Sequence, residues 1–227
     1  WWPPVAFRPP ACSWISTGEW GMNYEHCQLD ELEVEHFQVK EVLRCILHSI
    51  LYQRILGATP ANRHLDEDST LFELTYVRID DEATRRAVEE KIEQFANSLD
   101  KAGQARAQVD VSFFERRTRK GLLGLHNVEE RVCWERWSIP LTVHTRSQPQ
   151  EEADANATQA ELQTHLLDRL SAVVTMCSER KEHLPPIESL SVSTIAFEIS
   201  TSNSAESWSV DLFKRMLQAT PPMPAVN

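Results

Sequence analysis

Several signatures are missing from these 227 residues, and each absence removes a class of function. No two of the five cysteines (Cys12, Cys27, Cys45, Cys133 and Cys177) are spaced CxxC, and their number is odd. Scattered thiols at apolar positions fit small buried hydrophobes in a reducing compartment better than a disulfide framework. No uninterrupted apolar run reaches the roughly 18 residues a membrane-spanning helix needs. Residues 1–21 lack a leading Met and the continuous apolar core of a secretion signal. GxGxxG, GxxxxGK followed by Ser or Thr, HExxH and GxSxG are all absent, so no phosphate cradle, zinc-protease helix or nucleophile elbow is indicated. Positive charge is also short. The net charge is −11, so the whole surface is not suited to wrapping nucleic acid, and none is expected as a partner.

The eight histidines, His26, His36, His48, His64, His126, His144, His165 and His183, are scattered. His26 sits beside Cys27, but no second pair completes a zinc-site spacing, and His48 reads as a hydrogen-bonded boundary residue of a helix. Acidic runs such as EEKIE read as solvated helix faces. No catalytic residue, metal ligand or cofactor is therefore expected. Residues 1–21 hold four of the seven tryptophans and show neither strand nor helix period, unlike the patterned sequence that follows Met22. They are expected to be a non-native or disordered leader, with 22–218 as one domain and 219–227 as a disordered tail.

Regular patterning begins at residue 29. Leu32, Val34 and His36 alternate as on one face of a short strand. Val39, Val42, Leu43, Ile46, Leu47, Ile50 and Leu51 then recur at helical spacing, with Gly57 and Pro60 ending the helix. GATPANRHLDEDS reads as a polar loop. STLFELTYVRID, 69–80, reads as a central strand with apolar residues on both faces. A helix follows, capped by Asp80 or Asp81 and closed by Gly103, with Ala87 or Val88, Ile92, Phe95 and Leu99 as its buried stripe. Residues 109–117 and 132–145 read as the arms of a long hairpin around a loop of roughly 14 residues. Within the second arm, Trp134 and Trp137 are three apart and are expected on opposite faces, while Pro140 marks an edge, a bulge or a bend.

A third helix is expected over 157–181, with Leu162, Leu166, Leu170, Val173, Val174 and Cys177 inward, before HLPPIE breaks it. Residues 191–201 read as a last strand, and 208–217 is ambiguous between strand and helix. The order implies an α+β or mixed α/β domain, three helices on one face of a mostly antiparallel sheet.

The hairpin loop carries the most unusual composition. Arg116, Arg117, Arg119 and Lys120 form a basic stem, and Leu122, Leu123 and Leu125 follow between glycines in GLLGLHN. Three readings stand open on the residues alone. The leucines fold back onto the domain, or they insert into lipid beside the basic stem, or they enter a pocket on another protein.

Taken in order, LEVEHFQVKEVLRCILHSILYQR, LFELTYVRI, VSFFERRTRK, VCWERWSIPLTVH, EHLPPI and IAFEIS resemble the autophagy-related protein 101 family over about Leu29 to Leu217. FELTYVRI and CWERW are the most specific pieces. The resemblance implies a HORMA domain with a remodelable C-terminal segment, held in an open-like state. It also implies a non-catalytic adaptor in the cytoplasm and at the phagophore assembly site. Such an adaptor pairs with the HORMA domain of autophagy-related protein 13, stabilises it and helps assemble the autophagy-initiating kinase complex. The family's hairpin loop is a projecting finger whose Trp and Phe recruit downstream factors. Here the matching stretch, within 119–128, keeps the basic stem but lacks both aromatics. Leu122, Leu123 and Leu125 are the nearest apolar substitutes, and each offers less area and no stacking. A membrane-surface module using the same basic, leucine-tipped loop is the alternative function.

Overall fold

The computed structural model describes residues 24–55, 63–99, 105–120, 127–144, 152–185 and 195–202. In chain order the elements are β1 (Glu25–Gln28), β2 (Leu32–Glu35), a short 3-10 turn (His36–Gln38), α1 (Val39–Ile55), β3 (His64–Asp68), β4 (Thr75–Ile79), α2 (Glu82–Leu99), β5 (Ala105–Lys120), β6 (Asn127–His144), α3 (Glu152–Glu179) and β7 (Ile195–Ser202). The expected leader, the tail, Gly57, Pro60, Gly103 and 208–217 lie outside the described residues.

The α+β arrangement expected from the sequence is present: three helices and a mostly antiparallel sheet. β5 is the antiparallel partner of both β6 and β7, and β1 and β2 both run parallel to β6. All seven expected stripe residues of α1 are fully buried. They meet Val88, Ile92, Phe95 and Leu99 of α2, Leu162, Leu166 and Val173 of α3, and the inward residues Val109, Val111, Phe113, Trp137, Ile139, Leu141 and Val143 of the sheet in one core. Helical and strand periods thus converge on the same apolar volume, which is what makes a single domain of this size stable. Asp81 caps α2, its Oδ2 accepting from Thr84 N–H at 2.8 Å.

Six expectations are corrected. Leu32 and Val34 are buried on β2 as read, but His36 has already entered the 3-10 turn and leaves the alternation. The expected strand 69–80 is only half a strand, and it is not central: β4 pairs with β3 in a separate two-stranded sheet. Residues 69–74 form a turn instead, because buried Glu41 of α1 accepts hydrogen bonds from Ser69 Oγ (2.7 Å) and Thr70 N–H (2.9 Å). β3, read as part of a polar loop, has mostly exposed side chains, so no apolar alternation announces it. Val174 of α3 is 48% exposed rather than inward. Leu170 is partly buried against the core.

The WERW stretch holds the last two corrections. The register of β5 and β6 shifts between Phe113 and Phe114, which pair with Glu135 and Cys133 and leave Trp134 as an extra residue. That bulge re-aims its side chain. Trp134 packs on Phe113 (centroids 5.3 Å apart), the partner of Glu135, so both tryptophans reach the core side and both are buried. Pro140 lies in an interior strand. β1 pairs with residues 135–138 of β6 and β2 with 141–144, so the proline falls in the gap between them, where a missing N–H costs no ladder bond on that edge.

Candidate functional site

The hairpin is longer and tighter than its sequence suggests. The β5–β6 ladder continues without interruption to Lys120 opposite Asn127, so residues 121–126 alone separate the arms, not a loop of roughly 14. Arg116, Arg117, Arg119 and Lys120 therefore stand within a strand, opposite Arg131, Glu130, Val128 and Asn127 in turn. Leu122, Leu123 and Leu125 lie outside the described residues. β7 stops pairing with β5 at Glu115, and β1 pairs with β6 only from Glu135 onward. Beyond Glu115, the five residue pairs from Arg116–Arg131 to Lys120–Asn127 are joined only to each other among the described residues. At ~3.3 Å per residue these five pairs extend about 16 Å beyond Glu115.

The base of the arm is braced. The Arg131 guanidinium lies 4.4 Å from the Phe114 ring centroid, and its Nη2 is 3.6 Å from Glu198 Oε2 on β7. Cross-strand pairing also changes the electrostatics read from sequence. Glu129 and Glu130 stand opposite Thr118 and Arg117, so the arm is a mixed-charge ribbon rather than a purely basic stem.

Two buried polar constellations were candidates for chemistry. In the first, Glu135 is 0% exposed and accepts from Arg54 Nε (2.8 and 2.9 Å to its two oxygens) and from Trp137 Nε1. Its Oε2 is 2.5 Å from His183 Nε2. Burial pushes this carboxyl up, but the hydrogen bonds from His183 and Arg54 and the Arg54 charge outweigh it and hold Glu135 below the usual range. Arg54 also donates to the Cys177 carbonyl at 3.2 Å. The cluster joins the end of α1, β6 and the end of α3, and both oxygens of Glu135 are engaged by side chains of the fold. It is a structural clasp.

In the second, His26 Nε2 lies 2.9 Å from Ser138 Oγ, which donates to Asp110 Oδ1 at 2.5 Å. The residue types match a catalytic triad but the order does not: the serine gives its proton to the carboxylate, and the imidazole has none to take. Burial pushes the Asp110 carboxyl up to about 6, against the opposing hydrogen bonds from Ser138 and Gln108 and the charge of Arg136. The folded protein thus holds this proton more tightly than the unfolded chain. The contribution to stability is full below about pH 4 and is lost as pH rises through about 6. Replacing Asp110 by Asn should remove that dependence. Relative to the parent, the variant's unfolding free energy should rise by about 2–3 kcal/mol between pH 4 and pH 7 in urea titrations. A difference that is flat across this range would mean that Asp110 is ionised throughout.

The remaining titratable groups behave as core. Burial pushes the thiols of Cys27, Cys45 and Cys177 up to about 12, which leaves them protonated and inert at neutral pH. Burial lowers His48 to about 4, and its ring stacks on Tyr76 at 6.1 Å. Among the described residues no three His, Cys, Asp or Glu side chains gather to hold a metal ion, and no helix is long and apolar enough to cross a membrane. Sequence reasoning missed Glu41, Arg54, Glu135 and His183. The one signal of Glu41, Arg54 and Glu135 was a charge within a strongly apolar helix or strand, and His183, in the turn after α3, gave none.

The family model described as "Autophagy-related protein 101" matches residues 31–191. Autophagy-related protein 101 of Arabidopsis thaliana is 35% identical over 217 residues, covering 88% of this chain and 98% of that protein. The protein of the same name from Schizosaccharomyces pombe is 24% identical, covering 82% and 92%. The Homo sapiens protein is also 24% identical, covering 68% and 72%. These relatives are named for autophagy and not for a catalysed reaction. The matched segment runs from just before β2, through the core helices and the hairpin arm, to beyond the end of α3, and on that extent of agreement the chain belongs to the autophagy-related protein 101 family.

Proposed function

We propose that the protein is a non-catalytic adaptor of autophagy initiation, a HORMA domain that pairs with the HORMA domain of autophagy-related protein 13. It stabilises that partner within the autophagy-initiating kinase complex in the cytoplasm and at the phagophore assembly site. It recruits downstream factors through the tip of the arm, residues 119–128. The observation that carries this reading is the two-stranded arm, whose five pairs beyond Glu115 lead into the leucine-bearing segment with no other strand beside them among the described residues. A core-packing role for Leu122, Leu123 and Leu125 would not need such a support.

For pairing, α3 supplies a surface. Leu167 and Val174 are 46% and 48% exposed and stand seven residues apart, two turns on one helix face.

Co-expression of the full chain with the HORMA domain of autophagy-related protein 13 from the same organism, followed by size-exclusion chromatography with light scattering, tests the pairing. A one-to-one complex is expected, weakened about tenfold or more by Leu167→Glu with Val174→Glu. Two well-folded separate peaks would overturn it. Changing Leu122, Leu123 and Leu125 to Ser should leave melting and that complex intact while lowering autophagosome formation. A melting point several degrees lower would instead place the leucines in the core. Co-sedimentation of the full chain with anionic liposomes would move the assignment to the membrane-surface alternative.

A further inference from the structure

Asp110 lies in the middle of β5 with none of its surface open to solvent. Its two carboxyl oxygens are unequal. Oδ1 is joined to Ser138 Oγ at 2.5 Å and to Gln108 Nε2 at 3.0 Å, whereas Oδ2 is enclosed and has no hydrogen-bond partner among the described residues. An amide N–H keeps its proton at ordinary pH, so Gln108 cannot pass one on, and Ser138 is the neighbour that can. Ser138 is itself nearly enclosed (3% exposed), and its Oγ is joined to His26 Nε2 at 2.9 Å. His26 is exposed. We infer that Ser138 and His26 form a relay by which the buried Asp110 carboxyl exchanges its proton with solvent, a pH-sensitive switch spanning β5, β6 and β1.

The backbone sets the three side chains in line. Asp110 pairs directly with Ser138 across β5 and β6, and His26, paired with Arg136, lies one diagonal from Ser138 on the same face. Each link can run in either direction, because a hydroxyl both donates and accepts and each imidazole nitrogen does one or the other according to tautomer. With Asp110 ionised, His26 Nε2–H donates to Ser138 Oγ, and the hydroxyl donates to Oδ1. Acidification adds one proton from solvent at the other ring nitrogen, Nδ1. The Nε2 proton then passes to Oγ as the hydroxyl proton passes to Oδ1. Asp110 now donates to Ser138, and Ser138 donates to Nε2. One proton has been gained, the carboxyl is neutral, and the ring is neutral with its proton on Nδ1. The exposed imidazole therefore reports at the surface what has happened at the enclosed carboxyl.

The surroundings favour a neutral ring in the acid form. Burial and the charge of Arg136 on β6 lower His26 below its ordinary value, Arg180 beyond the end of α3 adds to this, and Glu25 on β1 opposes it. Asp110 is pushed up to about 6 by burial, against Ser138, Gln108 and Arg136. On β7, Ser200 stands opposite Asp110 and carries no charge, and Glu198 lies 3.6 Å from Arg131. The added proton thus rests on the carboxyl rather than on the imidazole.

Nuclear magnetic resonance of the full chain, with isotope labels at the histidine ring nitrogens and the aspartate carboxyl carbon, tests the relay between about pH 4 and about pH 8. His26 should change from the Nε2–H to the Nδ1–H tautomer, with a midpoint within about 0.3 pH unit of that of the Asp110 carboxyl. Ser138→Ala removes the link with little change in volume. The His26 tautomer should then no longer follow Asp110, the two midpoints falling about one pH unit or more apart. Asp110→Asn breaks the chain at its other end and should abolish the tautomer change, leaving the ring's own protonation. An imidazolium protonated at both nitrogens beside a still-ionised Asp110 would overturn the relay. So would separate midpoints in the parent chain. Shared midpoints that persist in Ser138→Ala would overturn it too, since the two groups would then sense each other through space alone.

Discussion

Glu135→Ala is expected to lower the unfolding free energy by about 3–5 kcal/mol, the scale for removing one partner of a buried ion pair. The carboxylate is fully enclosed and receives Arg54, His183 and Trp137. Without it the Arg54 guanidinium, itself almost fully buried, keeps, among the described residues, the carbonyls of Cys177 and Arg180, at 3.2 and 3.4 Å. An uncompensated buried cation is costly, and water cannot easily reach it. Glu135→Gln should cost less, because the carboxamide oxygen still accepts from Arg54 or Trp137 while the charge is lost. Urea titration separates the two variants. A loss below about 1 kcal/mol for Glu135→Ala would mean that Arg54 escapes to solvent and that the cluster is not closed. Replacing Arg54 and Glu135 together by apolar residues of similar size should recover part of the loss, as expected when desolvation rather than attraction dominates a buried pair.

Phe95→Ala should be equally damaging through a different mechanism. α2 is amphipathic, with Val88, Ile92, Phe95 and Leu99 buried and Glu82 paired on the exposed side with Arg85 and Arg86. Those exposed ion pairs contribute little, so the helix is held by its stripe and by Arg44, which donates to both oxygens of Glu89 at 2.6 and 2.8 Å. Phe95 is the largest member of that stripe. Its truncation removes the transfer free energy of a phenyl ring and leaves a cavity, together about 3–5 kcal/mol. For a domain of this size the melting temperature should fall by about 10 °C. The proposed pairing with autophagy-related protein 13 should survive at temperatures well below the new transition, because α2 carries none of the surface proposed for it. A shift of only a degree or two would mean that the core closes over the gap.

Much of this fold was legible as a string. The seven α1 residues, the α2 stripe and most of the α3 stripe were read from spacing alone and are buried as read. Asp81 was legible as a cap because capping is settled within four residues. The failures have a common form. β3 is held by backbone pairing to β4, and its exposed charged side chains follow no pattern. The strand expected at 69–80 was shortened by Glu41, 28 residues away from Ser69. The basic stem looked like the rim of a loop, yet it is a ladder whose partners, Asn127 to Arg131, carry no strand signal of their own. Trp134 and Trp137 obeyed the period of two until a single bulge, invisible in the residue order, brought both to one side.

The sequence by itself determined the class of the fold, the three helices with the faces they bury, and the long hairpin, because helical and strand periods and helix caps are local properties. It determined family membership for the same reason, since the ordered segments can be recognised without being folded. Only the tertiary structure decided that the hairpin ladder runs unbroken to Lys120 and Asn127, that Val174 faces outward, that Pro140 sits between two parallel neighbours, and that Glu135 is held by Arg54 and His183. Arg54 lies 81 residues from Glu135 and His183 lies 48. A buried charge is stable only with its partners, and partners that distant in the chain are chosen by packing rather than by spacing.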